Sequence, residues 1–116
     1  MSAQDTGRRG EQVAARFLKR SGCRILAKNF RAGRHEIDLI AEERATGTIV
    51  FAEVKTRTEG GFGRPSEAVD ARKQRFLRLA AQSWILQNGM EGRAARFDVI
   101  EVIEPGDRVN RIENAF

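Results

Sequence analysis

The sequence predicts an α/β domain built on a mixed central sheet flanked by helices, and three observations predict it. The N-terminal stretch carries Val13, Ala14, Phe17 and Leu18 at helical spacing. Two runs that read as strands, Glu36–Ala41 and Thr48–Lys55, follow close enough together to pair as a hairpin. A second helical stretch, about Asp70 to Gln87, then separates the Thr48 run from another at Phe97–Ile103. A helix between two strands of one sheet implies a right-handed crossover, which makes those strands parallel. With 116 residues the chain has the size of one domain with one core. Residues 1–116 are therefore expected to form a single domain with a short flexible N-terminus.

Taken in order, the first helix is expected over Thr6–Ser21, with Glu11 in its early turns and Gly22 as its stop. A strand at Arg24–Phe30 and a turn at Arg31–Arg34 lead into the Glu36 strand. The loop containing Thr46 and Gly47 then joins it to the Thr48 strand, which gives a three-strand meander. In the second helix Phe76, Ala80 and Trp84 form one row and Leu77, Ala81 and Ile85 the next. Phe76 and Trp84 share that stripe, so both are expected in the core rather than stacking on bases. Asp70 is placed to cap the helix. The Phe97 strand, in which Asp98 is expected to have a structural role, ends at Glu104-Pro105-Gly106-Asp107, where Pro then Gly suits a type II turn. A last strand over Val109–Glu113 completes the sheet. No repeat or low-complexity segment interrupts the pattern.

Charges inside the apolar strands are the chemical signal. Strand side chains alternate, so Glu53 and Lys55 leave one face about 6.8 Å apart while Val50, Ala52 and Val54 cover the other. Glu36 and Asp38 do the same on the neighbouring strand, and a hairpin brings the four groups toward one spot. Such a cluster suits Mg²⁺ or Mn²⁺, hard cations that take oxygen ligands and keep open positions for water and phosphate. Asp38 and Glu53 are the natural ligands, with Lys55 beside them to orient a water or neutralise developing charge. The same spacing equally suits a solvated strand face on which Lys55 pairs across to an acid.

Asp38 followed by Glu53-Val54-Lys55 resembles the D…(D/E)-x-K signature of restriction-endonuclease-like nucleases, among them Holliday-junction resolvases. The likeness continues through Gly10-Glu11, Glu36-Ile37-Asp38-Leu39-Ile40-Ala41, Phe51–Arg57, Phe62-Gly63, Pro65, Glu67-Ala68-Val69 and Asn114-Ala115-Phe116. Over nearly the whole chain these segments are similar to the small bacterial YraN family of predicted nucleases. The resemblance implies a restriction-endonuclease-like fold, a metal site to which Glu11 also contributes, and a homodimer. One departure is His35, which stands where the family pattern has a glycine before Glu-Ile-Asp, so a different turn into that strand is expected.

Composition indicates the partner. The formal charge of +5 and pI near 10.3 come from seventeen arginines and four lysines, and the guanidinium fork matches phosphate. An acidic pocket in a basic chain is what a metal-dependent nuclease needs. Candidate phosphate contacts are Arg57 and Arg64, the latter in the loop Gly60-Gly61-Phe62-Gly63-Arg64-Pro65, which is expected to order on substrate. Arg72 and Lys73, with Arg75 and Arg78, form a second basic group that equally suits a solvated helix face, and Gln74 is an accessory candidate beside the metal site, as is Glu36. Cys23 and His35 are each the sole residue of their type, which excludes an intramolecular disulfide, a cysteine zinc cluster and a multi-histidine zinc site. No apolar run approaches the roughly 20 residues of a membrane helix, so no membrane association and a cytoplasmic location are expected.

The expectation is a Mg²⁺- or Mn²⁺-dependent nuclease acting on DNA, including branched or structured DNA. Asp38, Glu53 and Glu11 would hold the metal and Lys55 would organise the nucleophile. The alternatives are a non-hydrolytic nucleic-acid-binding module that partners a helicase or recombination factor, and an RNA nuclease, since no residue here distinguishes ribose from deoxyribose.

Overall fold

The computed structural model describes residues 3–58 and 69–116, with backbone alone for residues 3–6. The elements are α1 (Ala3–Arg20), β1 (Cys23–Ala32), β2 (His35–Glu43), β3 (Ile49–Thr58), α2 (Ala71–Gln87), β4 (Ala95–Glu104) and β5 (Arg108–Ile112). They form one mixed sheet in the order β1-β2-β3-β4-β5. The expected meander is present, with β1, β2 and β3 antiparallel. The crossover through α2 makes β3 and β4 parallel from Ile49↔Ala95 to Thr58↔Glu104, and β5 pairs antiparallel with β4.

Both faces of the central strands are buried, which is why their sequences read as near-continuous apolar runs. On one face α1 packs Val13, Ala14 and Leu18 against Leu39, Val50, Ala52, Ile100 and Val102. On the other, α2 packs Leu77, Ala80, Ala81 and Trp84 against Ile40, Ile49, Phe51 and Val99. Asp70 caps α2 as expected, its carboxylate accepting the Lys73 amide at 2.8 Å. Asp98 is fully buried and accepts from Arg96 Nε at 3.1 Å and the Asn114 amide at 3.0 Å. Its role is structural, since it ties the C-terminal segment to β4.

Several expectations change. The first helix starts at Ala3 rather than Thr6, and β1 runs on through Arg31 and Ala32. The turn into β2 therefore shrinks to Gly33-Arg34, with Gly33 at φ 63° and Ala32 already paired to His35. Such a tight reversal uses the left-handed conformation that glycine adopts without steric penalty. The turn after β4 has a cis Glu104–Pro105 peptide and positive φ at both Gly106 and Asp107, where a type II turn has one left-handed residue. Phe76 is not in the core. Its ring is half-buried and stacks on His35, while Trp84 takes the buried position. The Gly60–Pro65 loop, including Arg64, and the Glu67-Ala68 part of the motif lie outside the described residues.

Candidate metal centre

The site forms where β2 and β3 part. Their ladder ends at Leu39↔Ala52, and one residue further on the Asp38 carboxylate accepts the Val54 amide at 2.8 Å. A side-chain oxygen thus satisfies a backbone donor that the diverging strand no longer reaches. The alternation of β2 breaks at the same place. Ile37 and Ile40 pack in one core layer and Leu39 in the other, whereas an unbroken strand would put residues three apart on opposite faces.

Helix α1 supplies the next acid because Gly10 lets it approach β3 closely. A Cβ at Gly10 would lie 2.2 Å from Thr56 Oγ1, nearer than any real contact. The next residue, Glu11, consequently reaches the strands from the opposite face of the sheet. Glu11, Glu36 and Asp38 each place a carboxylate oxygen within 4.8 Å of the others, all three half-buried. Arg31 pairs with Glu36 at 3.2 Å, and Asn29, in the left-handed conformation at φ 53°, offsets part of the rise in the Glu11 pKa.

Glu53 feels the charge of Asp38 without joining that cluster. It is buried, with Oε2 held 3.2 Å from Lys73 Nζ and Oε1 without a hydrogen-bond partner among the described residues. Lys55 is half-buried beside Lys73 and Glu53. Burial, then repulsion by Asp38, raises Glu11 and Glu53 above the usual carboxylate range. Burial likewise raises Asp38, against the hydrogen bond from Val54, with Glu36 adding to the rise. Burial and the Lys73 charge lower Lys55. Burial is also the largest single influence on Lys73 and lowers it, but the paired Glu53 carboxylate carries it above its ordinary value.

The residues expected at the site are therefore brought together in two linked groups, Glu11 with Glu36 and Asp38, and Glu53 with Lys55. Glu36, an accessory candidate in the sequence, sits inside the tight acid cluster, while Glu53 stands outside it. Lys73, expected on the nucleic-acid-binding helix face, turns inward to Glu53. The Gln74 amide donates to the Val69 carbonyl at 3.1 Å. Arg57 pairs with the buried Glu101 at 2.7 Å, and Arg72 remains exposed. Sequence reasoning missed Lys73 and Asn29 at the site. Lys73 follows three residues after a capping aspartate, which points it back toward the strand end. Asn29 carries no such signal.

An all-oxygen donor set with one buried, unpartnered carboxylate oxygen fits a hard divalent cation. A cation there would also relieve the repulsion that raises these acids.

Fold and site together define a domain of restriction-endonuclease-like type, with an acid cluster at the point where two sheet strands separate. The chain belongs to uncharacterised protein family UPF0102, the YraN family, whose model matches residues 10–102. It is 50% identical over 111 residues to a UPF0102 protein of Alkaliphilus oremlandii, covering 92% of this chain and 93% of that one. A UPF0102 protein of Symbiobacterium thermophilum is 49% identical over 114 residues, covering 95% and 94%. One of Pelobacter propionicus is 42% identical over 116 residues, covering 97% and 83%. Among the described residues, no helix is long and apolar enough to cross a membrane.

Proposed function

We propose that the protein is a divalent-metal-dependent nuclease that hydrolyses phosphodiester bonds in DNA, with branched or structured DNA as substrate. The observation that carries this reading is the buried, unpartnered Oε1 of Glu53 beside the cluster of Asp38, Glu36 and Glu11. Desolvated carboxylates are held without enough positive charge, and that is unfavourable unless a cation completes the site. Asp38 and Glu53 would hold Mg²⁺ or Mn²⁺, with Glu11 and Glu36 contributing directly or through water. When bound, such an ion polarises the phosphate and lowers the pKa of water. Lys55, held at the wall of the crevice with a lowered pKa, orients the attacking water and balances charge that develops on the phosphoryl oxygens. Arg72 and the basic surface of the chain hold neighbouring phosphates.

The test is cleavage of duplex, flap, single-stranded and four-way DNA with Mg²⁺ or Mn²⁺ and with EDTA, by wild type and by Asp38→Asn. Metal-dependent cutting that Asp38→Asn loses is expected. No cutting of any substrate, or cutting unchanged in EDTA, overturns the assignment. A non-hydrolytic DNA-binding module is the second reading, favoured by the Lys73 ammonium that already faces Glu53 at 3.2 Å. Calorimetric titration with Mn²⁺ separates the two, since the module would take up no ion.

A further inference from the structure

The sequence places Phe76 on the apolar stripe of α2, yet its ring leaves the core and stacks on His35, with centroids 4.1 Å apart and planes 15° from parallel. The two rings come from separate elements, His35 from the start of β2 and Phe76 from α2. They line a groove of about 890 Å³ between the β1–β2 turn and α2, within the roughly 300–1,000 Å³ of sites that accept small organic groups. Leu79, also in its lining, is 60% exposed and adds to the apolar surface of the groove.

The charge around this apolar surface is one-sided. Arg34, Arg72 and Lys73 line the groove, and the Arg72 guanidinium lies 5.8 Å from the Phe76 centroid. Among the described residues Asp70 is the one carboxylate in the lining, and its Oδ1 is engaged in capping α2. Lys73 joins the groove to the acid cluster, because the side chain that lines the one pairs with Glu53 of the other. An apolar, aromatic surface set among cations calls for a ligand with flat π-faces and regularly spaced negative charge. Single-stranded nucleic acid has both, while a duplex hides its base faces in the stack.

We infer that this groove binds an unpaired nucleotide of a DNA strand, with its base against the His35–Phe76 pair and its phosphates on Arg34 and Arg72. The adjoining phosphodiester then lies toward the acid cluster through Lys73. The inference rests on the nucleic-acid partner of the proposed function and not on hydrolysis. It narrows the substrate class to DNA with unpaired nucleotides beside the point of attack, such as flaps, gaps and opened junctions.

Binding measured in EDTA tests it with chemistry silent. The full chain is titrated into a short single-stranded oligonucleotide containing 2-aminopurine, and into the matching duplex, following anisotropy and aminopurine emission. Wild type should prefer the single strand and quench the aminopurine by stacking. Phe76→Leu and His35→Ala should weaken single-strand binding roughly 5- to 100-fold, the scale of one lost base–aromatic stack, and leave duplex affinity unchanged. Arg72→Ala, at an exposed position that packing does not constrain, should also weaken single-strand binding, which keeps the test decisive should a ring substitution disturb folding. Binding without single-strand preference, or without quenching, overturns this inference alone. Binding of neither oligonucleotide overturns it together with the nucleic-acid partner. Loss of cleavage with these binding results intact overturns only the hydrolytic function.

Discussion

At the scale of single residues, Lys73 is the side chain on which the metal-free site depends. Removing it leaves Glu53 buried with neither oxygen partnered. In EDTA, Lys73→Ala should therefore destabilise the fold by about 1.5–3 kcal/mol, the range for a hydrogen bond to a charged group. Mn²⁺ should recover much of that loss, because the freed carboxylate becomes a full ligand. Urea unfolding with and without the ion measures both effects, and a loss the ion does not relieve would separate Glu53 from the metal. Lys55 is expected to act on the transition state rather than on binding. Lys55→Ala should slow single-turnover cleavage by about 10²- to 10⁴-fold while Mn²⁺ and DNA affinities hold. Lys55→Arg should be a poor substitute, since a planar, strongly basic guanidinium cannot reproduce a compact ammonium of lowered pKa. Cleavage by Lys55→Ala at the wild-type rate would remove this lysine from the mechanism.

The elements meet at the site through contacts that tolerate little change of shape. Helix α1 reaches the site because Gly10 lies against Thr56, and the Val54 amide bonds Asp38 where β2 diverges from β3. Gly10→Ala should push α1 away from β3 at about 1–3 kcal/mol, the range for overpacking a close contact. It should also carry Glu11 away from Asp38, and displacement of about 1 Å at a catalytic site lowers rates on the order of 10²-fold. Denaturant midpoints, compared with cleavage rates at equal folded fraction, distinguish the two consequences. If the rate follows folded protein alone, Glu11 has no part in the chemistry.

For the molecule as a whole, the raised acids couple stability to pH and to metal. A carboxyl whose folded pKa lies above its unfolded value binds more protons when folded. Its contribution is therefore lost as pH rises from the unfolded value, roughly 4, through the raised folded value. Asp38, Glu53 and Glu11 all have this sign. Half-buried Glu42, Glu43 and Asp107 have the opposite sign, each lowered first by a side-chain hydrogen bond, from Arg93, Thr46 and Arg9 respectively. Comparing samples with and without metal cancels these surface groups. The rise in Tm on adding Mn²⁺ should be largest at neutral and mildly alkaline pH and should vanish as pH falls into the carboxylate range, because protonated acids do not hold the ion. Asp38→Asn should shrink the rise at neutral pH. A shift independent of pH would place the ion elsewhere on the surface.

The sequence by itself determined the α/β class, the meander, the parallel return through α2, the capping role of Asp70 and the candidates Glu11, Glu36, Asp38, Glu53 and Lys55. These depend on periodicity, on chain connectivity and on charges that apolar strands rarely carry, all of which are local or nearly so. Tertiary structure decided which acids actually meet. Glu36 joined Glu11 and Asp38 because β2 breaks its alternation beside a parting strand, an irregularity that depends on how β2 fits its neighbours. It turned Lys73 inward and committed Arg57 to Glu101, since the partner of a long side chain depends on distant elements rather than on spacing. Phe76 followed the helical stripe in sequence but left the core, because beside the β1–β2 turn its ring met His35 instead of the sheet. A period records which face of a helix is apolar. What that face meets is decided only when the chain closes on itself.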